Sequence, residues 1–244
     1  MSGHSHYATT HRQKELKDAA RGQVFTKLAQ AITIAAKTGG GPDPESNFKL
    51  RVIIDKARAA NMPKDNIERA ISKASSGGTL DEVTYEGFGP GGVGILVQAG
   101  TDNRNRTGNE IKNIFEKNGG KFAGPGAVSF NFEAKGLIVL KNGGATDELM
   151  LKLIDAGADD IEEVDGEIEV YVAPNNTSSM QEKLREAGFN VITAELIEKP
   201  KTFQEVTDKI EIEKITKLLE ILESQDDVVK VYTNADLLVP QAQI

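Results

Sequence analysis

The residues best suited to chemistry form a short polar loop between a predicted strand and a predicted helix. Residues 102–107 read Asp-Asn-Arg-Asn-Arg-Thr. Forked guanidinium groups, amide side chains and the positive end of a helix dipole together suit a phosphate or a carboxylate. The alternative is a loop held by Asn side-chain turns, with its arginines in solvent. We favour binding, through Arg104, Asn105 and Arg106, because so many hydrogen-bonding groups are gathered beside a Gly-rich hairpin.

That hairpin, residues 89–94, matches the G-x-G-x-x-G pattern of dinucleotide-binding loops letter for letter. The pattern binds pyrophosphate when it lies between a strand and the N-terminus of a helix. Here a strand is predicted to follow, so the glycines indicate a tight turn. We therefore expect no bound cofactor.

Seven carboxylates lie between Asp159 and Glu169. They lack the D-x-D-x-D-G spacing of a calcium-binding loop, and on a predicted hairpin they mostly alternate outward. This pattern predicts a solvated acidic face, which could contact a basic protein. A hydrolase that uses these carboxylates with a divalent metal is the alternative, and it would retain the ion after dialysis.

All three histidines, His4, His6 and His11, lie in a polar N-terminal segment without apolar periodicity. A preorganised catalytic site is hard to build there, and the neighbouring cations suit a phosphate better. The sequence also lacks the usual nucleophile, P-loop and zinc-protease motifs. We expect no catalytic residue, no metal site and no enzymatic activity.

The composition narrows the class of protein further. The chain has 244 residues, of which 39% are hydrophobic and 27% charged, as in an ordinary globular protein. The absence of cysteine excludes disulfides, thiolate-bound metals and thiol nucleophiles. No apolar run is long enough for a membrane span or resembles a signal peptide, so we expect a cytoplasmic protein with no membrane partner.

The charge is unevenly distributed along the chain, whose net charge is −8. Residues 1–78 hold 13 basic and 7 acidic residues, a net charge of +6. Residues 79–244 hold 16 basic and 30 acidic residues, a net charge of −14. Residues 1–78, the basic head, can contact phosphates. Residues 79–244, the acidic body, are repelled by phosphates. The alternative interpretation of the basic head is a solvated helical surface.

Apolar residues recur at helical spacing in the N-terminal third of the chain. Helices are predicted over residues 16–38, 45–60 and 63–74, and residues 75–78 read as a linker. In the second helix, Lys49 and Lys56 border one side of the apolar stripe and Arg51 and Arg58 the other. Both sides of the apolar stripe are therefore expected to carry positive charge.

After the linker the pattern becomes that of strands and helices. Strands are predicted over residues 82–87, 93–99, 127–132 and 228–232, a helix over residues 203–223 with Ile210 inward, and a βαββαβ order over residues 136–198. Thr107 and Glu110 are expected to form a capping box at the start of a further helix. The predicted fold class is α+β: an N-terminal helical domain, then two ferredoxin-like α+β domains. The domains comprise residues 1–78, residues 79–134 with 201–244, and the inserted acidic residues 135–200.

Several long strings together resemble the YebC family. They are Met1–Ser5, Arg21-Gly22 with Phe25–Leu28, Ala59–Ile71, Thr84–Gly92 and Thr101–Thr107. The resemblance spans essentially the whole chain and implies the same three-domain arrangement. It also implies a cytoplasmic, non-enzymatic regulator of gene expression, which the family label describes as a probable DNA-binding transcriptional regulator. Mitochondrial relatives include a translational activator of cytochrome oxidase, and other members are ribosome-associated factors that assist synthesis through proline-rich stretches.

The N-terminal segment departs from the family pattern. Members usually read Gly-His-Ser-Lys-Trp and then Lys-His-Arg-Lys, whereas this chain has His6-Tyr7 and His11-Arg12-Gln13-Lys14. An aromatic ring that can stack on a base is retained, while two positive charges are replaced by His and Gln. We expect weaker electrostatic binding that is more sensitive to pH near 6.5.

These observations predict a monomeric protein that binds nucleic acid. The family label favours DNA, whereas an acidic body behind a basic head favours ribosomal RNA, with the ribosome or other basic proteins as further partners. The candidate nucleic-acid-binding residues are His4, Ser5, Tyr7, Arg12, Lys14, Lys17, Arg21, Lys27, Arg51, Lys56, Arg58, Lys64, Arg69, Arg104, Asn105 and Arg106. A pure protein-interaction adaptor, with negligible affinity for nucleic acid, is the remaining alternative.

Overall fold

The computed structural model describes residues 21–75, 80–141, 147–164 and 166–238. Its helices are α1 (Arg21–Thr38), α2 (Phe48–Ala59), α3 (Lys64–Ser75), α4 (Arg104–Lys117), α5 (Asp147–Ala156), α6 (Thr177–Glu186) and α7 (Lys209–Ser224). Its strands are β1 (Asp81–Phe88), β2 (Gly94–Thr101), β3 (Lys121–Ala123), β4 (Phe132–Lys141), β5 (Asp160–Val164), β6 (Glu167–Val172), β7 (Val191–Pro200), β8 (Gln204–Val206), β9 (Val228–Thr233) and β10 (Ala235–Leu237). Among these helices none is both long enough and apolar enough to cross a membrane.

The described residues form two compact units. Unit 1 contains residues 21–34, 80–133 and 200–238, and unit 2 contains residues 35–75, 134–141, 147–164 and 166–199. The predicted division into three domains stays a prediction.

Unit 1 is built on a four-stranded sheet with the order β3-β1-β2-β9. Both β3 and β2 pair antiparallel with β1, and β9 pairs antiparallel with β2. Alternate residues of β2 pack against α4 and α7 on one face, where Phe115 and Leu218 are fully buried. The opposite face carries a smaller cluster of Leu96, Val128 and Phe132. The GPGG turn joins β1 to β2, as the sequence predicts, and β8 and β10 form a separate parallel pair.

Unit 2 contains the predicted ferredoxin-like element order. Its chain order is β4-α5-β5-β6-α6-β7, and its sheet order is β5-β6-β4-β7. Side chains of β4 and β6 pack against α5 and α6, with Ile138, Leu153 and Leu184 in the core. Helices α2 and α3 also belong to this unit, and α2 lies against α6.

The predicted strand over residues 127–132 is wrong. Residues 129–131 form a 3-10 turn, and β4 begins only at Phe132. The strand that pairs with β1 on the side away from β2 is β3. The reason is the buried carboxylate of Glu86, which accepts the backbone N–H groups of Gly126, Val128 and Ser129. Those donors are therefore not free to bond a neighbouring strand.

The predicted capping box at Thr107 is also wrong. Helix α4 begins one turn earlier, because the side chain of Asn103 accepts the backbone N–H of Arg106 at 3.1 Å. Thr107 is buried inside the helix, where its hydroxyl contacts Thr101 at 2.7 Å. The side chain of Glu110 accepts instead from Gln225 at 2.7 Å.

The long C-terminal helix is shorter than predicted. It begins at Lys209, where the side chain of Asp208 accepts the backbone N–H of Glu211 at 2.8 Å. Residues 204–206 form β8 instead, and Ile210 is 61% exposed rather than inward. An aspartate N-cap thus decides the helix start against the apolar periodicity.

Candidate nucleic-acid interface

Part of the predicted interface lies outside the described residues. This part comprises His4, Ser5, Tyr7, Arg12, Lys14 and Lys17, together with the side chain of Arg21. The role of these residues in binding stays a prediction.

Helices α2 and α3 carry three of the predicted cations on their exposed surface. Helix α2 is capped by Asn47, and the link to α3 turns at Asn61, whose φ of 60° lies in the left-handed region that Asn tolerates. Arg58, Lys64 and Arg69 are all exposed. Their partners lie on their own helices: Arg58 pairs with Asp55 at 3.3 Å, Lys64 pairs with Glu68 at 3.4 Å, and Arg69 contacts Asp65 and Asn66. Exposed pairs of this kind are weak, so a phosphate can compete for these cations.

The other predicted cations that flank the apolar stripe of α2 are less accessible. The ammonium group of Lys56 pairs with the carboxylate of Glu195 at 3.0 Å, and both side chains are largely buried. The Nε atom of Arg51 is buried and makes no hydrogen bond. Of the predicted cations beside the apolar stripe of α2, Arg58 is therefore the most exposed.

Lys27 is held by backbone carbonyls within unit 1, and its role in binding nucleic acid stays a prediction. Its ammonium group donates to the backbone carbonyls of Glu223 in the last turn of α7, Gln225 just after α7, and Val228 at the start of β9. Burial lowers the pKa of Lys27, and the nearby Glu223 and Asp226 oppose this effect. Because all three donors of the ammonium group are engaged, Lys27 is not available to a phosphate in this arrangement.

The arginines of residues 102–107 are held by carboxylates of unit 1. Arg104 pairs with Asp81 at 3.1 Å, and Arg106 pairs with Asp227 at 2.8 Å and with Asp102 at 3.1 Å. Both guanidinium groups are partly exposed, and Asn105 is exposed. Residues 104–107 therefore form the first turn of α4 rather than the predicted loop. Their arginines pair within unit 1, and binding through them stays a prediction.

Asp227 is the centre of this network, and no motif or spacing in the sequence points to it. Its carboxylate also accepts the hydroxyl of Thr107 at 2.6 Å. Burial raises the pKa of Asp227, but hydrogen bonds from Thr107 and Arg106 outweigh burial, so its pKa is lowered. The hydrogen bond with Asp227 raises the pKa of Arg106 in turn.

We expect Asp227→Asn to lower the free energy of unfolding by about 1–3 kcal/mol, because the variant loses charge-assisted hydrogen bonds to partly buried groups. Urea denaturation followed by circular dichroism measures the change. Asp155→Asn, at an exposed position of α5, is the matched control and should change stability little. Equal stability of the two variants would show that the hydrogen bonds and the ion pair of Asp227 do not stabilise the fold.

The acidic hairpin differs in part from the predicted solvated face. Lys199 pairs with Asp160 at 2.7 Å and Glu162 at 2.9 Å, and its ammonium lies 3.5 Å from the centre of the Tyr171 ring. Glu169 is buried and accepts from the Tyr171 hydroxyl, so it does not alternate outward. Within the described residues, no group of three or more His, Asp or Glu side chains is arranged to hold a metal ion.

Two family models match the sequence. The model of the TACO1/YebC protein N-terminal domain matches residues 5–77, and the model of the TACO1/YebC second and third domain matches residues 80–235. The chain belongs to the TACO1/YebC family. The resemblance seen in the sequence is thus confirmed.

Related proteins cover nearly the full chain. A probable transcriptional regulatory protein of Listeria monocytogenes is 46% identical over 97% of this chain and 100% of its own length. A relative of the same description from Chloroflexus aurantiacus is 47% identical over 97% of this chain and 96% of its own length. The crystal structure of a conserved hypothetical protein from Aquifex aeolicus has a TM-score of 0.82 at 38% identity, and covers 93% of this chain and 95% of that one. The Listeria and Chloroflexus relatives carry a regulator label.

Proposed function

We propose that the protein is a non-enzymatic regulator of gene expression that binds nucleic acid through its N-terminal basic segment and α2–α3. The observation that carries this proposal is the segregation of charge. Residues 1–78 have a net charge of +6, against −14 for the rest of the chain. The regulator label of the relatives supports the same class of function.

We favour structured RNA over duplex DNA as the target. A long acidic body is repelled by the phosphates of a duplex, whereas a basic head can approach a folded RNA end-on. In this proposal the protein is a cytoplasmic monomer that acts with the ribosome, and its acidic residues face basic proteins. DNA binding is the second candidate, because the relatives are named transcriptional regulators and the short connection between α2 and α3 is compatible with a helix-turn-helix.

The salt dependence of binding tests which residues contact phosphate. We expect the triple variant Lys14→Ala, Lys17→Ala, Arg21→Ala to bind RNA more weakly. The slope of log K against log salt should become shallower by about 0.7–0.9 for each phosphate that the variant no longer neutralises. Replacing the exposed Lys209, Lys214 and Lys217 of α7 with Ala removes the same charge elsewhere and should leave the slope unchanged. An equal effect of both triple variants would show that general charge, rather than the N-terminal segment, governs binding.

Crosslinking in cells followed by sequencing of the attached nucleic acid separates the two candidate targets. Enrichment of ribosomal or transfer RNA supports the translation role. Enrichment of discrete promoter DNA instead supports the transcriptional role and contradicts the preference for RNA.

A further inference from the structure

An exposed aromatic ring lies in unit 1, far along the chain from the basic segment. Phe130 is 72% exposed, the largest exposed fraction among the large hydrophobic side chains of the described residues. A phenylalanine in water loses the free energy that burial of its ring would provide. Its exposure on a hydrogen-bonded turn is therefore a feature that the fold itself does not explain.

The backbone before Phe130 is fixed by one buried carboxylate. Glu86 accepts the N–H groups of Gly126 at 2.7 Å, Val128 at 2.7 Å and Ser129 at 3.0 Å. Val128 in turn is buried against Leu96 and Phe132. The backbone that leads to Phe130 is thus held by three hydrogen bonds and by the burial of the Val128 side chain.

The backbone after Phe130 is fixed equally well. The side-chain oxygen of Asn131 accepts from the backbone N–H of Thr202 at 3.1 Å and from its hydroxyl at 2.7 Å. The side-chain amide of Asn131 donates to the carbonyl of Thr202 at 2.9 Å. The Lys201 ammonium donates to the carbonyl of Phe130 at 2.9 Å. A ring presented by such a turn loses little conformational entropy when it binds a partner.

The surroundings of the ring favour a nucleobase over a protein groove. A protein-binding site usually offers a contiguous apolar patch, whereas Phe130 lies between Ser129 and Asn131 and next to the exposed Lys201. A base needs one aromatic face for stacking, and its phosphate needs a nearby cation. The Lys201 ammonium uses one of its three donors on Phe130, which leaves donors for a phosphate.

We propose that Phe130 is a preorganised stacking platform for one unpaired base of a single-stranded nucleic acid, with Lys201 as the cation for the adjoining phosphate. This inference rests on the proposed nucleic-acid-binding function and adds a second contact point, in unit 1, that reads unpaired bases. It predicts a preference for single strands over a duplex, because a paired base cannot offer its face to the ring.

The chain offers a direct test because it contains no tryptophan. Phe130→Trp places a single indole on the platform, and its fluorescence can be excited selectively. The probes are an unstructured oligoadenylate of about twelve nucleotides and an RNA duplex of equal length. We expect the oligoadenylate to quench the indole emission by stacking and the duplex to leave it nearly unchanged. A wild-type affinity in this variant shows that the substitution preserves the site.

Affinity measurements separate stacking from phosphate binding. We expect Phe130→Ala to weaken binding of the oligoadenylate about tenfold without changing the salt slope, since the same phosphates are still neutralised. Lys201→Ala should make the slope shallower by about 0.7. Ile210→Ala, which removes the other large exposed apolar side chain in the described part of unit 1, is the matched control and should bind like the wild type.

The outcomes distinguish this inference from the proposed function. If the wild-type protein binds neither probe and no cellular RNA or DNA, both the proposed function and the stacking platform are overturned. If the N-terminal triple variant loses affinity while Phe130→Ala binds normally and the indole is not quenched, only the stacking platform is overturned.

Discussion

Glu86→Gln is expected to lower the free energy of unfolding by about 3 kcal/mol at neutral pH. Glu86 is 5% exposed, and its carboxylate accepts hydrogen bonds from three backbone N–H groups within residues 126–129. Glutamine keeps one acceptor oxygen but points an amide N–H₂ group at donors that then lack a partner. Unpaired buried donors carry the full desolvation cost, and hydrogen bonds to a charged group are the stronger kind.

The pH dependence follows from the pKa of Glu86. Burial alone would raise it, but the backbone N–H groups of Val128, Gly126 and Ser129 outweigh burial, so the pKa is lowered from 4.5. A carboxylate whose pKa is lower in the folded state stabilises the fold above its unfolded value, and this stabilisation is lost as the pH falls through the lowered value. The stability difference between wild type and Glu86→Gln should therefore be full above about pH 4.5 and shrink in stronger acid.

Urea denaturation at a series of pH values measures this difference. Glu133→Gln, which removes an exposed carboxylate close to the same turn, is the matched control and should lie within about 0.5 kcal/mol of the wild type. A stability gap that stays constant in acid would contradict the role of the ionised carboxylate. If Phe130 binds bases, Glu86→Gln should also weaken oligoadenylate binding, because the turn that presents the ring is loosened.

Local patterns predict the regular elements of this chain well. The glycines of residues 89–92 indicate a hairpin turn, and alternating apolar residues predict β5, β6 and the βαββαβ order of unit 2. These features depend on residues close together in sequence. The predicted strand over residues 127–132 is wrong because the backbone donors there are taken by Glu86, about 40 residues earlier.

The candidate site is harder to predict because the charge of a lysine or arginine does not show which group its side chain contacts in the fold. Lys27, Arg104 and Arg106 have the residue type of phosphate ligands, yet their partners are the end of α7, Asp81 and Asp227. Each of these partners lies 23 or more residues away along the chain. Arg58, Lys64 and Arg69, in contrast, are exposed on α2 and α3, and the partners described for them lie within four residues along the chain.

Gly87→Ala is the second large effect that the structure predicts. Gly87 lies in β1 between Ile95 of β2 and Phe122 of β3. An added Cβ would lie 2.5 Å from Cε1 and 2.7 Å from Cζ of Phe115, and 2.9 Å from the carbonyl oxygen of Lys121. These separations are far below van der Waals contact, so either the aromatic ring or the strand must shift.

The ring has little freedom to shift. Phe115 is fully buried in the core of unit 1, with Phe122 edge-on at a centroid distance of 6.3 Å. Overpacking a well-packed core of this kind costs up to about 3 kcal/mol, and we expect Gly87→Ala to lose about that much stability. The measurement is the midpoint of urea denaturation, compared with that of Gly22→Ala. At this exposed position of α1 an added Cβ meets no atom within 4 Å. The same substitution there should raise stability by about 0.5–1 kcal/mol, because alanine favours the helix. A loss of stability in both variants, or in neither, would contradict the close approach of Phe115 to the β1 backbone as the reason for this glycine.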